Sequence, residues 1–183
     1  MIRLVIVFLL LSCSAFAQDE HFKFKGVEID GTVESFSNEL ENVGFSIIAE
    51  GALEGTFAGD DCSIYILTTK KGLVYGVCAV RSKKTNWTTL KRDFLTIKEG
   101  YIKKYGEPFS DVHKFTKPYY EGDGYEMTAV RTNNVMYACS WIFDNGKITE
   151  MIFKEGSVIL YYTDKINDSI REAQEQQQFE DDL

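Results

Sequence analysis

Hydrophobic and polar positions repeat with a helical period most clearly in residues 86–108. Asn86 can cap the first turn there, while Gly106 and Pro108 prevent the helix from continuing. The segment therefore predicts a long helix that packs on a sheet. The stripe that it would bury recurs at steps of three and four and consists of Trp87, Leu90, Phe94, Ile97, Tyr101 and Tyr105.

A second helical pattern begins at Thr32, a suitable N-cap, and ends at Gly44. Its apolar positions are Val33, Phe36, Leu40 and Val43. Alternating or continuous apolar runs between turn residues predict strands elsewhere in the chain. These runs are residues 21–25, 52–57, 62–68, 73–81, 111–116, 125–131, 135–143, 147–153 and 157–163.

The order of these elements predicts an α+β domain, an antiparallel β-meander sheet with helices packed on one face. A helix precedes three strands in the first half and about five strands in the second. This order favours a diverged tandem α-βββ repeat with pseudo-repeats 21–81 and 86–163 in a single domain, 18–163, although identity between the halves is too low to prove it. Residues 164–183 predict a short helix followed by a disordered, Gln-rich acidic tail.

Turn residues set the expected register of the last three strands. Two-residue loops at Asn145-Gly146 and Glu155-Gly156 would place Glu150 between Trp141 and Tyr161 on one face. We expect this face to be open and to bind a partner, together with Tyr119 and Tyr120 of the loop 118–124. The alternative is that the other half or the tail covers the face, and a one-residue slip would exchange the two faces. The helices are expected on the opposite face, which would carry Ala138, Ser140, Ile142, Met151, Phe153, Val158 and Leu160.

The N-terminus has the pattern of a signal peptide, residues 1–17. Arg3 precedes a short apolar run, and an A-x-A site predicts cleavage before Gln18, so we expect a periplasmic or secreted protein. The run is too short to span a bilayer, which needs about 20 apolar residues. Residues 10–13 also resemble a lipobox, and lipidation of Cys13 would instead give an outer-membrane lipoprotein anchored by its lipid.

The mature chain keeps Cys62, Cys78 and Cys139, and an oxidising compartment permits one disulfide among them. Cys62 with Cys78 is the favoured pair, because the two lie on neighbouring strands of a predicted hairpin. The alternative is that all three are small buried hydrophobic residues without a disulfide.

Composition and charge restrict the possible functions. The chain has 28 acidic and 20 basic residues, a formal net charge of −8, and 44% hydrophobic residues. Such an acidic balance argues against nucleic-acid binding. The chain contains no P-loop, G-x-G-x-x-G, H-E-x-x-H or G-x-S-x-G motif, so no catalytic residue, metal site or cofactor is predicted.

Several segments together resemble a family of uncharacterised exported proteins of gut bacteria of the Bacteroides type. They include residues 24–32, 53–59, 104–108 and 162–165, and the W-x-x-L of Trp87 and Leu90. The resemblance covers most of the mature chain and implies export but no established activity. In architecture alone, helices on an antiparallel sheet are similar to the β-lactamase-inhibitor-protein fold and to small outer-membrane assembly lipoproteins.

The leading hypothesis is a non-enzymatic exported module of the bacterial envelope that binds a protein or peptide partner. A carrier of a small apolar ligand is the second hypothesis, in which an aromatic sheet face closes over the ligand. A hydrolase that uses an unrecognised pair of acidic residues is the third.

Overall fold

The computed structural model describes residues 20–183, so the predicted signal peptide and Cys13 lie outside the described part of the chain. The helices are α1 (Val33–Asn42), α2 (Trp87–Tyr105), α3 (Glu126–Arg131) and α4 (Lys165–Asp181). The strands are β1 (Lys23–Phe24), β2 (Val27–Glu28), β3 (Ser46–Ala49), β4 (Ala52–Phe57), β5 (Asp60–Thr68), β6 (Val74–Arg81), β7 (Ser110–Phe115), β8 (Val135–Phe143), β9 (Gly146–Phe153) and β10 (Ser157–Asp164).

Strands β3 to β10 form one antiparallel sheet in the order β3-β4-β5-β6-β10-β9-β8-β7, and β1 pairs with β2 in a separate hairpin. The predicted α+β meander is therefore confirmed. Each half of the sheet is a four-stranded meander, and the last strands of the two halves, β6 and β10, pair in the centre. The order helix-then-meander is common to both halves, but a duplication of sequence stays a prediction.

Helix α2 begins and ends where its capping residues predict. Asn86 Oδ1 accepts a hydrogen bond from the Thr89 backbone N–H at 2.9 Å, and Gly106 ends the helix with a φ of 84°. A left-handed φ favours glycine, because a side chain there would clash with its own backbone. The predicted stripe from Trp87 to Ile97 is buried. In α1, Thr32 and Ser35 form a reciprocal capping box.

The hydrophobic core lies between one face of the sheet and a layer that contains α1, α2 and the β1–β2 hairpin. Phe24 from the hairpin is fully buried, and its ring packs against the rings of Phe45, Phe57 and Tyr162 at 4.9–5.9 Å. Tyr101 of α2 packs on Trp141 of β8 at 5.1 Å. We call this side of the sheet the covered face.

The structure differs from the predicted elements in three places. Residues 125–131 form α3 instead of a strand, and Ala129 and Val130 are its buried positions. Strand β3 was not predicted, because all its residues are exposed and lack an apolar–polar alternation. The tail is a 17-residue helix, α4, capped by Asp164 and braced by exposed side-chain pairs such as Arg171 with Glu175.

Both predicted hairpin registers differ from the structure. Phe143 pairs with Gly146, so the first turn is centred on Asp144 and Asn145, and the register shifts by two residues. Phe153 pairs with Ser157 across a three-residue loop, which shifts β10 by one residue relative to the prediction. A shift of one residue reverses the face of every side chain in a strand.

No helix within residues 20–183 is both long enough and apolar enough to cross a bilayer.

Candidate binding surface

The structure separates the three residues that were predicted to share an open face. Trp141 and Glu150 are 3% and 0% exposed and lie on the covered face, where Trp141 Nε1 donates to the Gly106 carbonyl oxygen at 2.9 Å. Tyr161 lies on the opposite face, because it pairs with Thr149 rather than with Glu150. The predicted open face around Glu150 is therefore wrong, and neither Trp141 nor Glu150 can contact a partner in this conformation.

Glu150 is instead a buried carboxyl group in the core. The Cys139 thiol donates to its Oε2 at 3.3 Å, and its Oε1 has no hydrogen-bond partner in the described part of the chain. Burial raises the pKa of Glu150 to about 8, since a charged carboxylate is poorly solvated there. Burial also raises the pKa of the Cys139 thiol, which makes it a poor nucleophile at neutral pH.

Tyr119 and Tyr120 lie in the loop between β7 and α3, as predicted, but they differ in exposure. Tyr120 is 64% exposed, whereas Tyr119 is half-buried. Glu121 ties this loop to the domain, because its carboxylate accepts hydrogen bonds from Trp87 Nε1 at 3.2 Å and from Tyr137 Oη at 2.9 Å. Nothing in the structure brings the two tyrosines together with Trp141, Glu150 and Tyr161 into one site.

The predicted disulfide between Cys62 and Cys78 is wrong. Cys62 pairs with Arg81 and shares the covered face with it, whereas Cys78 pairs with Tyr65 and Tyr161 on the opposite face. Cα–Cβ vectors that point to opposite sides of a sheet cannot be bridged. All three cysteines of the described chain are free and buried, as the alternative interpretation expected.

The face opposite α2 carries two adjacent rows of side chains that contain no charged residue across six strands, β5 to β7 in sheet order. We call them the uncharged rows. Cross-strand pairing defines the first row as Ser63, Val80, Ile159, Met151, Ala138 and Val112. The second row is Tyr65, Cys78, Tyr161, Thr149, Ser140 and Ser110.

Most side chains of the uncharged rows are small or hydroxylated, and the two tyrosines are the largest residues of the rows. Tyr65 is 46% exposed, whereas Cys78, which lies between Tyr65 and Tyr161, is 8% exposed. A polar groove of about 650 Å³ adjoins the rows at β4–β6, and its lining includes Glu54, Asp61 and Ser63. Sequence reasoning missed this surface because it assigned β8 and β9 to the wrong faces: Ala138, Ser140, Ile142 and Met151 lie away from α2, whereas Val158 and Leu160 are covered.

Within residues 20–183, no group of three His, Cys, Asp or Glu side chains is arranged to hold a metal ion.

Comparison with protein-family models, with curated proteins and with solved structures finds no match in any of the three.

Proposed function

We propose that the protein is a non-enzymatic exported binding module whose uncharged rows contact a protein partner. The observation that carries this proposal is the absence of charge from twelve adjacent positions in a chain of which 26% is charged. Depletion of charged residues with exposed tyrosine is the composition of the centre of a protein–protein interface. Half of the twelve residues are small and suited to close approach by a partner: Ser63, Cys78, Ser110, Ala138, Ser140 and Thr149.

The dimensions of the rows suit a macromolecular partner. Six strands spaced about 4.8 Å apart give a width of roughly 24 Å, and two rows that lie two residues apart along each strand occupy roughly 14 Å of its length. The resulting area, roughly 330 Å², is less than half of the ~800 Å² that each partner buries in a standard interface, so the rows would form the centre of the contact and the residues around them its rim. A small ligand would cover only a fraction of such a surface.

A pair of matched variants tests the proposal. Thr149→Lys places a charge in the second uncharged row, and Thr96→Lys places the same charge on the exposed side of α2. Partners captured from an envelope extract are identified by mass spectrometry, and their affinity for each purified variant is then measured. We expect Thr149→Lys to weaken binding at least about tenfold, because burying an unpaired charge is costly.

A partner that binds all three proteins equally would show that the uncharged rows are not the contact surface. Melting temperatures of both variants confirm that each is folded. A partner lost only with Thr149→Lys supports the proposal, since the two substitutions change charge and residue type identically.

Export belongs to the same proposal and rests on the signal-peptide pattern of residues 1–17. The intact mass of the protein from its natural host distinguishes the two processing routes. A chain that begins at Gln18 supports soluble release into the periplasm or medium. A diacylated or triacylated chain that begins at Cys13 supports a lipid anchor, and an unprocessed chain contradicts export.

A further inference from the structure

A pocket lies between the β1–β2 hairpin and the last turns of α2, on the side of the molecule opposite to the uncharged rows. We call it the hairpin pocket, and we infer that it binds a small aromatic carboxylate. Its volume is about 630 Å³, which falls within the range of about 300–1,000 Å³ that is usual for small-molecule sites. The proposal is independent of the protein partner proposed above.

Aromatic side chains form the floor and one wall of the hairpin pocket. Phe57 and Tyr162 are 8% and 5% exposed, so the floor is fixed by the core. At the wall, the rings of Tyr101 and Tyr105 stack at 5.8 Å with an angle of 26° between their planes. A planar ring would extend these stacks, because aromatic rings attract each other at centroid distances of about 4.5–7 Å.

Two tyrosine hydroxyl groups add hydrogen-bonding capacity to the aromatic lining of the hairpin pocket. Tyr101 and Tyr162 lie with their hydroxyl groups hydrogen-bonded to each other. Burial raises the pKa of both phenols, so both stay neutral and can donate hydrogen bonds. Each hydroxyl group has one proton and two lone pairs, so the pair retains one donor for a ligand oxygen.

The charged residues at the rim select an anion. Three lysines line the pocket, and Lys23 among them is paired with Glu20 and Glu28. Lys25 and Lys104 have no carboxylate within 4 Å among residues 20–183. In a chain with a net charge of −8, two unpaired cations beside an aromatic floor favour a ligand that combines a negative group with a ring.

The hairpin holds one of these lysines in place. Lys25 adopts a left-handed conformation, with a φ of 54°, and Gly26 follows at 88°, which makes the two-residue turn between β1 and β2. A type I′ turn needs two such residues, so the turn keeps Lys25 at the rim. Lys104 Nζ lies 4.8 Å from the centre of the Tyr105 ring. An inorganic anion would meet these cations but would leave the aromatic wall wet, so an aromatic carboxylate fits better.

Calorimetric titration of the mature chain with 2-naphthoate tests the inference. We expect saturable binding of one molecule per chain, and binding of the neutral analogue 2-naphthalenemethanol should be at least about tenfold weaker. The double variant Lys25→Gln, Lys104→Gln should lose a similar factor. Lys103→Gln is the matched control, since Lys103 precedes Lys104 on α2 and does not line the pocket.

Three results would overturn the inference: no saturable binding, equal binding of the neutral analogue, or equal loss in Lys103→Gln and the double variant. All substituted lysines are exposed, so melting temperatures should match the parent chain and a loss of binding reports the site. Thr149→Lys should leave naphthoate binding unchanged. This result keeps the hairpin pocket distinct from the uncharged rows, because either proposal can fail without the other.

Discussion

The thiol of Cys139 donates to Oε2 of Glu150 across 3.3 Å, and both side chains are buried. This contact joins β8 to β9 at a paired position of the sheet. The thiol is a weak donor, and it is the only partner that the carboxyl group has among the described residues. The pair therefore makes the core sensitive to pH.

Replacing Glu150 with Gln should flatten the dependence of stability on pH. The folded protein holds the Glu150 proton up to about pH 8, whereas the unfolded carboxyl ionises near its ordinary pKa of 4.5. The protonated form of Glu150 therefore contributes its full stabilisation of the fold below the unfolded-state pKa of 4.5. The free energy of unfolding then falls by about 1.4 kcal/mol per pH unit between the two values. At pH 8 we expect Glu150→Gln to be the more stable protein by roughly 2–4 kcal/mol.

Urea unfolding at pH 5, 6, 7 and 8 measures this difference. Glu41→Gln, on the exposed side of α1, controls for the loss of one negative charge. Parallel pH curves for the parent chain and Glu150→Gln would contradict the raised pKa.

Removing the partner of Arg81 should destabilise the domain strongly. Arg81 is 5% exposed, and its Nε and Nη2 donate to the Asp93 carboxylate at 3.2 and 2.8 Å. Asp93→Asn leaves this buried cation with Asp60 at 3.6 Å as its nearest carboxylate. We expect a loss of about 3 kcal/mol in the free energy of unfolding, measured by urea denaturation.

The exposed pair of Lys23 and Glu20 provides the comparison for Arg81. Glu20→Gln should leave the unfolding midpoint unchanged, because exposed ion pairs contribute little. Equal effects of the two substitutions would show that Arg81 is solvated in solution.

Two glycine substitutions should change stability in opposite directions. A Cβ at Gly146 would lie 2.4 Å from Phe22 Cγ and 2.6 Å from the Thr163 carbonyl oxygen, so Gly146→Ala should cost about 2–3 kcal/mol. A Cβ at Gly100, inside α2, meets nothing within 4 Å, so Gly100→Ala should add about 0.5–1 kcal/mol through helix propensity. Thermal unfolding compares them, and similar shifts for both would contradict the close packing of Gly146.

The cysteines should all remain reduced. We expect three alkylated thiols when a chain of residues 18–183 is unfolded without reductant, and slow alkylation of the native protein, because all three are buried. Intact mass after labelling measures the count. A product with one alkyl group and two fewer hydrogens would reveal a disulfide and contradict the opposite faces of Cys62 and Cys78.

Local signals in the sequence predicted the elements whose ends have a chemical marker. Asn86 and Gly106 predicted the two ends of α2, and Thr32 predicted the start of α1. Asn86 and Thr32 each accept a hydrogen bond from a backbone N–H of the first turn, and Gly106 has the positive φ at which the helix ends. For α3, the alternation of Tyr125, Met127 and Ala129 misled the strand prediction. Burial of Ala129 and Val130 decides the conformation of this six-residue segment, and an alternation over three positions is too short to predict it.

The candidate surface could not be predicted for two reasons: no local pattern shows on which side of β8 and β9 the helices pack, and the face of each β10 residue depends on the length of one loop. Residues 154–156 form three linking positions between β9 and β10 rather than two, and this difference places Tyr161 and Glu150 on opposite faces. Gly156 does not decide between a two-residue and a three-residue loop, since glycine occurs in several turn types. The hairpin pocket depends on contacts between residues far apart in sequence, such as Phe57, Tyr101 and Tyr162, which no local pattern contains.

The central pairing of β6 with β10 also determines when the sheet can form during synthesis of the chain. Strand β6 consists mostly of buried residues, and its second neighbour is made only when residues 157–164 emerge. Until then the first half of the chain presents a long apolar edge, which is a template for aggregation. The sheet therefore forms completely only after almost the whole chain has been synthesised.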